Sequence, residues 1–161
     1  MDDIAFIEDY LNRYKKSLFE TDVSQQMIEL KKMLLGMKKN GKKVIIAGNG
    51  GSAAMASHVA VDLTKAAGIR AVAFNDADLL TCFANDYGYE EWVVEALNAY
   101  ADPGDVAILI SSSGTSQNIV RGTDRARDLE LKTITLSGFS ENNDLRNRGD
   151  INFWLNSNSY N

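Results

Sequence analysis

The chain reads as an α/β protein, a three-layer sandwich with a central parallel sheet preceded by two N-terminal helices. Three features predict this. Short unbroken apolar runs such as Val44-Ile45-Ile46-Ala47 and Val106 to Ile110 lack the alternation of a half-exposed strand, so they belong in a sheet buried on both faces. Helical periodicity fills the stretches between these runs, as parallel crossovers require. At 161 residues, with 45% hydrophobic and 24% charged content, the chain can bury a core of its own.

In the first helix Ile4, Ile7, Leu11, Tyr14 and Leu18 recur three and four apart; in the second Met27, Leu30, Met33, Leu34 and Met37 do the same. These stripes are read as core or subunit contacts. Thr21-Asp22 separates the helices and Asn40-Gly41 stops the second. Lys43 to Ala47 forms the first strand, followed by a glycine-rich loop and an Ala-rich helix to about Lys65. Ile69 to Phe74 reads as the next strand, Leu79 to Ala84 and Glu90 to Tyr100 as helical, and Asp102-Pro103-Gly104-Asp105 as a turn. Val106 to Ile110 is a strand, then comes a serine-rich loop and a helix to about Leu129. Lys132 to Leu136 and Ile151 to Leu155 complete the sheet. No linker or low-complexity tract interrupts this, so residues 1–161 are read as one domain, with 1–40 the helices and 41–161 the α/β core.

The single cysteine, Cys82, excludes an internal disulfide. With no signal pattern and no apolar run near 18 residues, the expected location is the cytoplasm. A net charge of −5 provides no footprint for nucleic acid and no attraction to an anionic membrane. Any phosphorylated ligand must therefore be held by local backbone geometry.

Two loops carry the chemistry. Ala47-Gly48-Asn49-Gly50-Gly51-Ser52-Ala53 allows tight turning and close backbone approach, with Ser52 read as the N-cap of the following helix. Ser111-Ser112-Ser113-Gly114-Thr115-Ser116-Gln117-Asn118 sets hydroxyl and N–H donors at a helix N-terminus, where the dipole favours an anion. Ligands of doubly wound sheets gather at the carboxyl ends of strands, where both loops fall. Together they point to a phosphate site. Gly48 to Ala53 also fits the relaxed dinucleotide fingerprint G-x-G-x-x-A, with Asp76 as its acidic residue. Asp76 lies 26 positions past Gly50, however, and the serine loop has no part in that scheme. His58 and Asp62, four apart, share a helix face and could supply half of a zinc site.

The segments GNGGSAAMASHVAVDL (Gly48 to Leu63), FANDYGYEEWV (Phe83 to Val93) and GDVAILISSSGTSQNIV (Gly104 to Val120) resemble the sugar isomerase (SIS) family, in its sedoheptulose 7-phosphate isomerase, or phosphoheptose isomerase, branch. The resemblance spans nearly the whole chain and implies a flavodoxin-like parallel sandwich, usually a homotetramer with active sites shared between subunits. It implies aldose–ketose isomerisation of a phosphorylated sugar through an enediolate, for lipopolysaccharide or capsule heptose. By resemblance, Ser111, Ser113 and Ser116 hold the phosphate and Ser112 adds backbone contacts. Ser52 with Asn49, Gly50 and Gly51 hold the sugar end, and Asn85 and Asp86 touch its hydroxyls. His58 and Asp62 fall where the family has a histidine and a catalytic glutamate, through which some members bind zinc; no cofactor is required.

This chain departs from the family at two places. Asp62 is one methylene shorter than the glutamate, and misplacing a base by about 1 Å costs on the order of a hundredfold. The family's closing helix, with its acid histidine and a glutamine, would start where Asn156 to Asn161 stand, so the resemblance leaves that helix absent from the sequence, and His58 is its one histidine. Both departures support an alternative reading as a non-catalytic SIS module that binds a phosphosugar or serves as a scaffold.

Overall fold

The computed structural model describes residues 2–157 and 159. Its elements, in chain order, are α1 (Asp3–Phe19), α2 (Ser24–Lys39), β1 (Val44–Gly48), α3 (Gly51–Lys65), β2 (Ala71–Ala73), α4 (Ala77–Tyr87), α5 (Trp92–Tyr100), β3 (Val106–Ser111), α6 (Gln117–Asp128), β4 (Lys132–Ser137) and β5 (Ile151–Trp154). The strands pair in parallel in the order β2-β1-β3-β4-β5. The three-layer reading holds, with helices on both faces and two helices ahead of the sheet.

The strand pleat sorts the apolar residues into two cores. Ile45, Ala47, Ala107 and Leu109 face one way, onto Trp92, Val93, Ala96 and Leu97 of α5 and Ile119 and Ala126 of α6. Val44, Ile46, Val106, Ile108 and Ile110 face the other way, onto Leu34 and Met37 of α2 and Ala56 and Ala60 of α3. Double-sided burial is why β1 and β3 read as continuous apolar runs.

Several expectations need correction. The run from Ile69 to Phe74 forms a strand only at Ala71–Ala73, because β2 is the sheet edge and pairs with β1 alone. The patch at Leu79 to Ala84 extends to Tyr87, so Asn85 and Asp86 sit in the last turn of α4. The stripe of α1 is not core in this chain: none of its residues is buried, and Ile4, Ile7, Leu11, Tyr14 and Leu18 are all exposed. The second helix fits its reading in part: Leu34 and Met37 are buried and Leu30 and Met33 half-buried, but Met27 is exposed; the Asp22 carboxylate accepts the Ser24 N–H at 2.9 Å. The expectation about Asn156 to Asn161 falls partly outside the described residues, at Asn158, Tyr160 and Asn161.

At the amino end of the sheet, Asp105 is fully buried and binds Lys43, just before β1, and Asp102, just after α5. It accepts the Lys43 N–H at 2.9 Å, the Asp102 N–H at 2.9 Å and the Lys43 ammonium at 2.6 Å. Burial alone would lower the Lys43 pKa, but hydrogen bonds to Asp102 and Asp105 outweigh it and the pKa is raised. Asp105→Ala removes the acceptor of two backbone N–H groups and one of the two carboxylates on Lys43, so it is expected to cost about 3–5 kcal/mol in chemical denaturation.

Asp150 ties the start of β5 to β4, accepting the Thr133 N–H at 2.8 Å and the Lys132 ammonium at 3.1 Å. Burial would push its pKa up, yet the hydrogen bonds from Thr133 and Lys132 win and hold it below the ordinary aspartate value. A depressed carboxylate stabilises the fold above its unfolded pKa and loses that contribution as pH falls through the folded value. Thermal unfolding of Asp150→Asn should accordingly decline less steeply below about pH 4 than that of the unaltered chain.

Candidate functional site

In the strand order β2-β1-β3-β4-β5 the chain leaves β1 towards β2 and leaves β3 towards β4, so a crevice opens between the carboxyl ends of β1 and β3. The two loops singled out by sequence meet there. A cleft of about 100 Å³ is lined by Asn49, Ser52, Ile110, Ser111, Ser112, Ser113 and Ser116. The N-termini of α3 and α6 both begin at these loops, which favours negative charge. No charged side chain lines the cleft, so hydroxyls, amides and helix dipoles must do the binding.

Ser52 is not the N-cap of α3. The helix begins at Gly51 with Gly50 as cap, at φ 54° and ψ −120°, a conformation glycine alone adopts without strain. Ser52 lies in the first turn, with its backbone N–H on the Asn49 carbonyl at 3.0 Å.

The serine loop is organised around two hydroxyls. Ser111 Oγ accepts the Gly114 N–H at 3.2 Å and donates to Ser116 Oγ at 3.1 Å, so its hydrogen is committed inside the loop. Ser113 Oγ accepts the Thr115 N–H at 3.3 Å and the Thr115 hydroxyl at 3.1 Å. Its own hydrogen faces only Ser111 Oγ, 3.5 Å away. Ser116 Oγ makes no cap bond to α6. Ser113 and Ser116 therefore line the cleft as donors without a strong acceptor, which suits an acceptor-rich anion.

Sequence reasoning missed the residues that hold this arrangement in place. Asn118, 2% exposed, forms a reciprocal amide pair with Asn49: each side-chain NH₂ donates to the other's oxygen, at 2.9 and 3.0 Å. The Tyr89 hydroxyl also donates to Asn49 Oδ1, at 3.0 Å. Behind the loop, the buried Asn143 amide donates to Ser137 Oγ, Gly138 O and Ser140 O. A polar residue on the inner face of α6's first turn was the legible signal for Asn118. Asn143 lies in an irregular connection that carries no pattern.

A larger cavity of about 390 Å³ adjoins the cleft and shares Ser52, Ile110 and Ser112 with it. Met55 of α3, Leu18 of α1, and Phe139, Phe153 and Trp154 give it mostly apolar walls.

His58 and Asp62 lie elsewhere. His58 Nε2 is 3.5 Å from Asp62 Oδ2, and their side chains are 79% and 64% exposed. Neither lines the cleft or the larger cavity. Spaced three and seven residues beyond Met55, they continue its face of α3, and helical side chains lean toward the N-terminus, here toward the cavity. Asn85 and Asp86, both exposed, also lie outside the two cavities, with Asn85 Nδ2 donating to Asp86 Oδ1 at 2.9 Å. His58 and Asp62 offer zinc two ligands, and no group of three or more His, Cys, Asp or Glu assembles among the described residues. One chain thus falls short of the three or four protein ligands zinc takes, and no step is assigned to a metal.

A parallel α/β sheet with a donor-rich crevice at its switch point defines a protein built to hold a small polar ligand. The chain belongs to the SIS domain family, whose profile matches residues 7–138. It is 42% identical to the phosphoheptose isomerase of Helicobacter pylori over 66% of this chain and 58% of that protein, so it spans about three-fifths of that relative's length. It is 37% identical to the phosphoheptose isomerase of Aliarcobacter butzleri over 83% of this chain and 75% of the relative. The solved phosphoheptose isomerase of Francisella tularensis superposes with a TM-score of 0.90 at 26% identity, covering 99% of this chain and 89% of that one. Family membership, with a strand order unlike the dinucleotide fold's 3-2-1-4-5-6, sets aside the dinucleotide reading.

Gly114 sits at φ 68°, and a Cβ there would lie 1.9 Å from Asn143 Oδ1. Gly114→Ala should destabilise the fold by about 2 kcal/mol or more, lowering Tm by roughly 5 °C in a thermal scan.

Proposed function

We propose that this chain is a phosphosugar isomerase converting sedoheptulose 7-phosphate to a heptose 7-phosphate. The observation that carries this reading is the cleft at the ends of β1 and β3, with donors from Ser113, Ser116 and Asn49, two helix N-termini and a larger cavity alongside. The phosphate takes the serine cleft, with Ser111 bracing the loop from within, and the sugar extends past Ser52, Gly50 and Gly51. Asn85 and Asp86 meet its hydroxyls. The phosphoheptose isomerase names of the relatives support the substrate.

Asp62 is the base in this proposal. It removes a proton from the carbon next to the ketone carbonyl, leaving an enediolate, and returns it to the former carbonyl carbon. The hydroxyl proton passes between the two oxygens, so ketose becomes aldose with no atom gained or lost. His58, 3.5 Å from Asp62, is the nearest group to assist proton movement. Because this pair is exposed, another subunit would close the site, and the bare apolar stripe of α1 supports self-association as a homotetramer. In the same reading residues 1–161 form one SIS domain and the protein acts in the cytoplasm. Its product feeds lipopolysaccharide or capsule heptose. No helix among the described residues is long and apolar enough to cross a membrane.

A second reading has its own observation. Asp62 is 64% exposed and outside both cavities, which suits a module that binds a phosphosugar without converting it, or serves as a scaffold. Incubation with sedoheptulose 7-phosphate in deuterated water separates the two. The isomerase forms aldose and exchanges deuterium at the reacting carbon, and Asp62→Ala lowers kcat at least a hundredfold, roughly, while phosphate binding persists. Binding without exchange, indifferent to Asp62→Ala, establishes the non-catalytic module instead.

A further inference from the structure

Asn118 and Tyr89 bracket Asn49 from opposite elements, one in the first turn of α6 and the other between α4 and α5. The hydrogen-bonding capacity of the Asn49 amide can be counted through. Its oxygen has two lone pairs, and both are occupied, by Asn118 Nδ2 at 2.9 Å and the Tyr89 hydroxyl at 3.0 Å. Its nitrogen has two hydrogens, one of which goes to Asn118 Oδ1 at 3.0 Å. A single N–H remains, on a side chain that lines the cleft. An asparagine amide can otherwise turn over and present its oxygen, which would repel an anion. Here an Asn49 amide that turned alone would set its NH₂ against the Asn118 NH₂ and its oxygen against the Asn118 oxygen, so the two amides are coupled.

We infer that Asn118 and Tyr89 are positioning residues: they hold Asn49 so that its remaining N–H is presented to the ligand in the serine cleft. The inference rests on the cleft being an anion site, as proposed above. Both act through Asn49 and need not touch the ligand. Tyr89 follows directly on the turn that ends α4, so the same bond ties the Asn85-Asp86 segment to the cleft.

A double-mutant cycle read by calorimetric binding of inorganic phosphate tests this, with thermal unfolding measured in parallel. Asn118→Leu keeps the size of the buried side chain and removes its amide. It is expected to weaken phosphate binding about tenfold, the scale of one hydrogen bond. Tyr89→Phe, which removes one hydroxyl, is expected to weaken it about two- to fivefold and carries the same test should Asn118→Leu not fold. In an Asn49→Ala background neither substitution should weaken binding further, since the group they orient is gone. Additive losses, or unchanged binding in both single variants, would overturn the positioning role while leaving the cleft an anion site. Failure of the unaltered chain to bind phosphate would overturn the anion site and the inference with it.

Discussion

The parallel pairing of β1 with β3 is the constraint from which the rest of the structure follows. It runs in register from Val44 opposite Val106 to Gly48 opposite Ile110, and joins segments about sixty residues apart in sequence. Each end is pinned by a polar contact that spans a similar distance. Asp105 holds Lys43 at the amino end, and Asn118 holds Asn49 at the carboxyl end. Apolar strands buried on both faces have little to set their register beyond side-chain shape, so polar contacts that must be satisfied in the interior contribute specificity there. With the register set, the glycine loop and the serine loop can only meet at one place.

The crevice they form favours an anion without using a cation. In a chain of net charge −5, a lysine or arginine at the cleft would be drawn into pairs with the surplus carboxylates, as Lys43, Arg121 and Arg148 are. Hydroxyls and amides avoid that competition. Their strength depends on orientation, and orientation here is maintained by a second layer, with Ser111 inside the loop and Asn143 behind it. An anion held there would meet preorganised dipoles at two helix ends rather than a net positive field.

The pair His58 and Asp62 stands apart from the cleft. The two converge as their spacing requires, yet they face solvent on α3. The larger cavity meets α3 at Met55, three residues before His58, and is walled partly by Leu18 of the exposed α1. The pair and the apolar stripe of α1 both face solvent in this structure.

Periodicity and loop composition were enough to place most strands and helices, the double-sided burial of the sheet and the two loops at its carboxyl end, because each depends on residues close in sequence. The edge strand shortened to Ala71–Ala73 because pairing on one side only supports fewer ladder bonds, something no local pattern records. The cap of α3 fell on Gly50 rather than Ser52 because the turn needs a positive φ that only glycine tolerates. Asn118, Tyr89 and Asn143 acquired their roles from partners up to 69 residues distant. Sequence by itself therefore determined the layers and the kind of atom offered to a ligand, since these are written in local residue type and spacing. Tertiary structure alone decided which donors remain uncommitted and which carboxylate stands clear of the cleft, since hydrogen-bond capacity is settled only when distant partners meet.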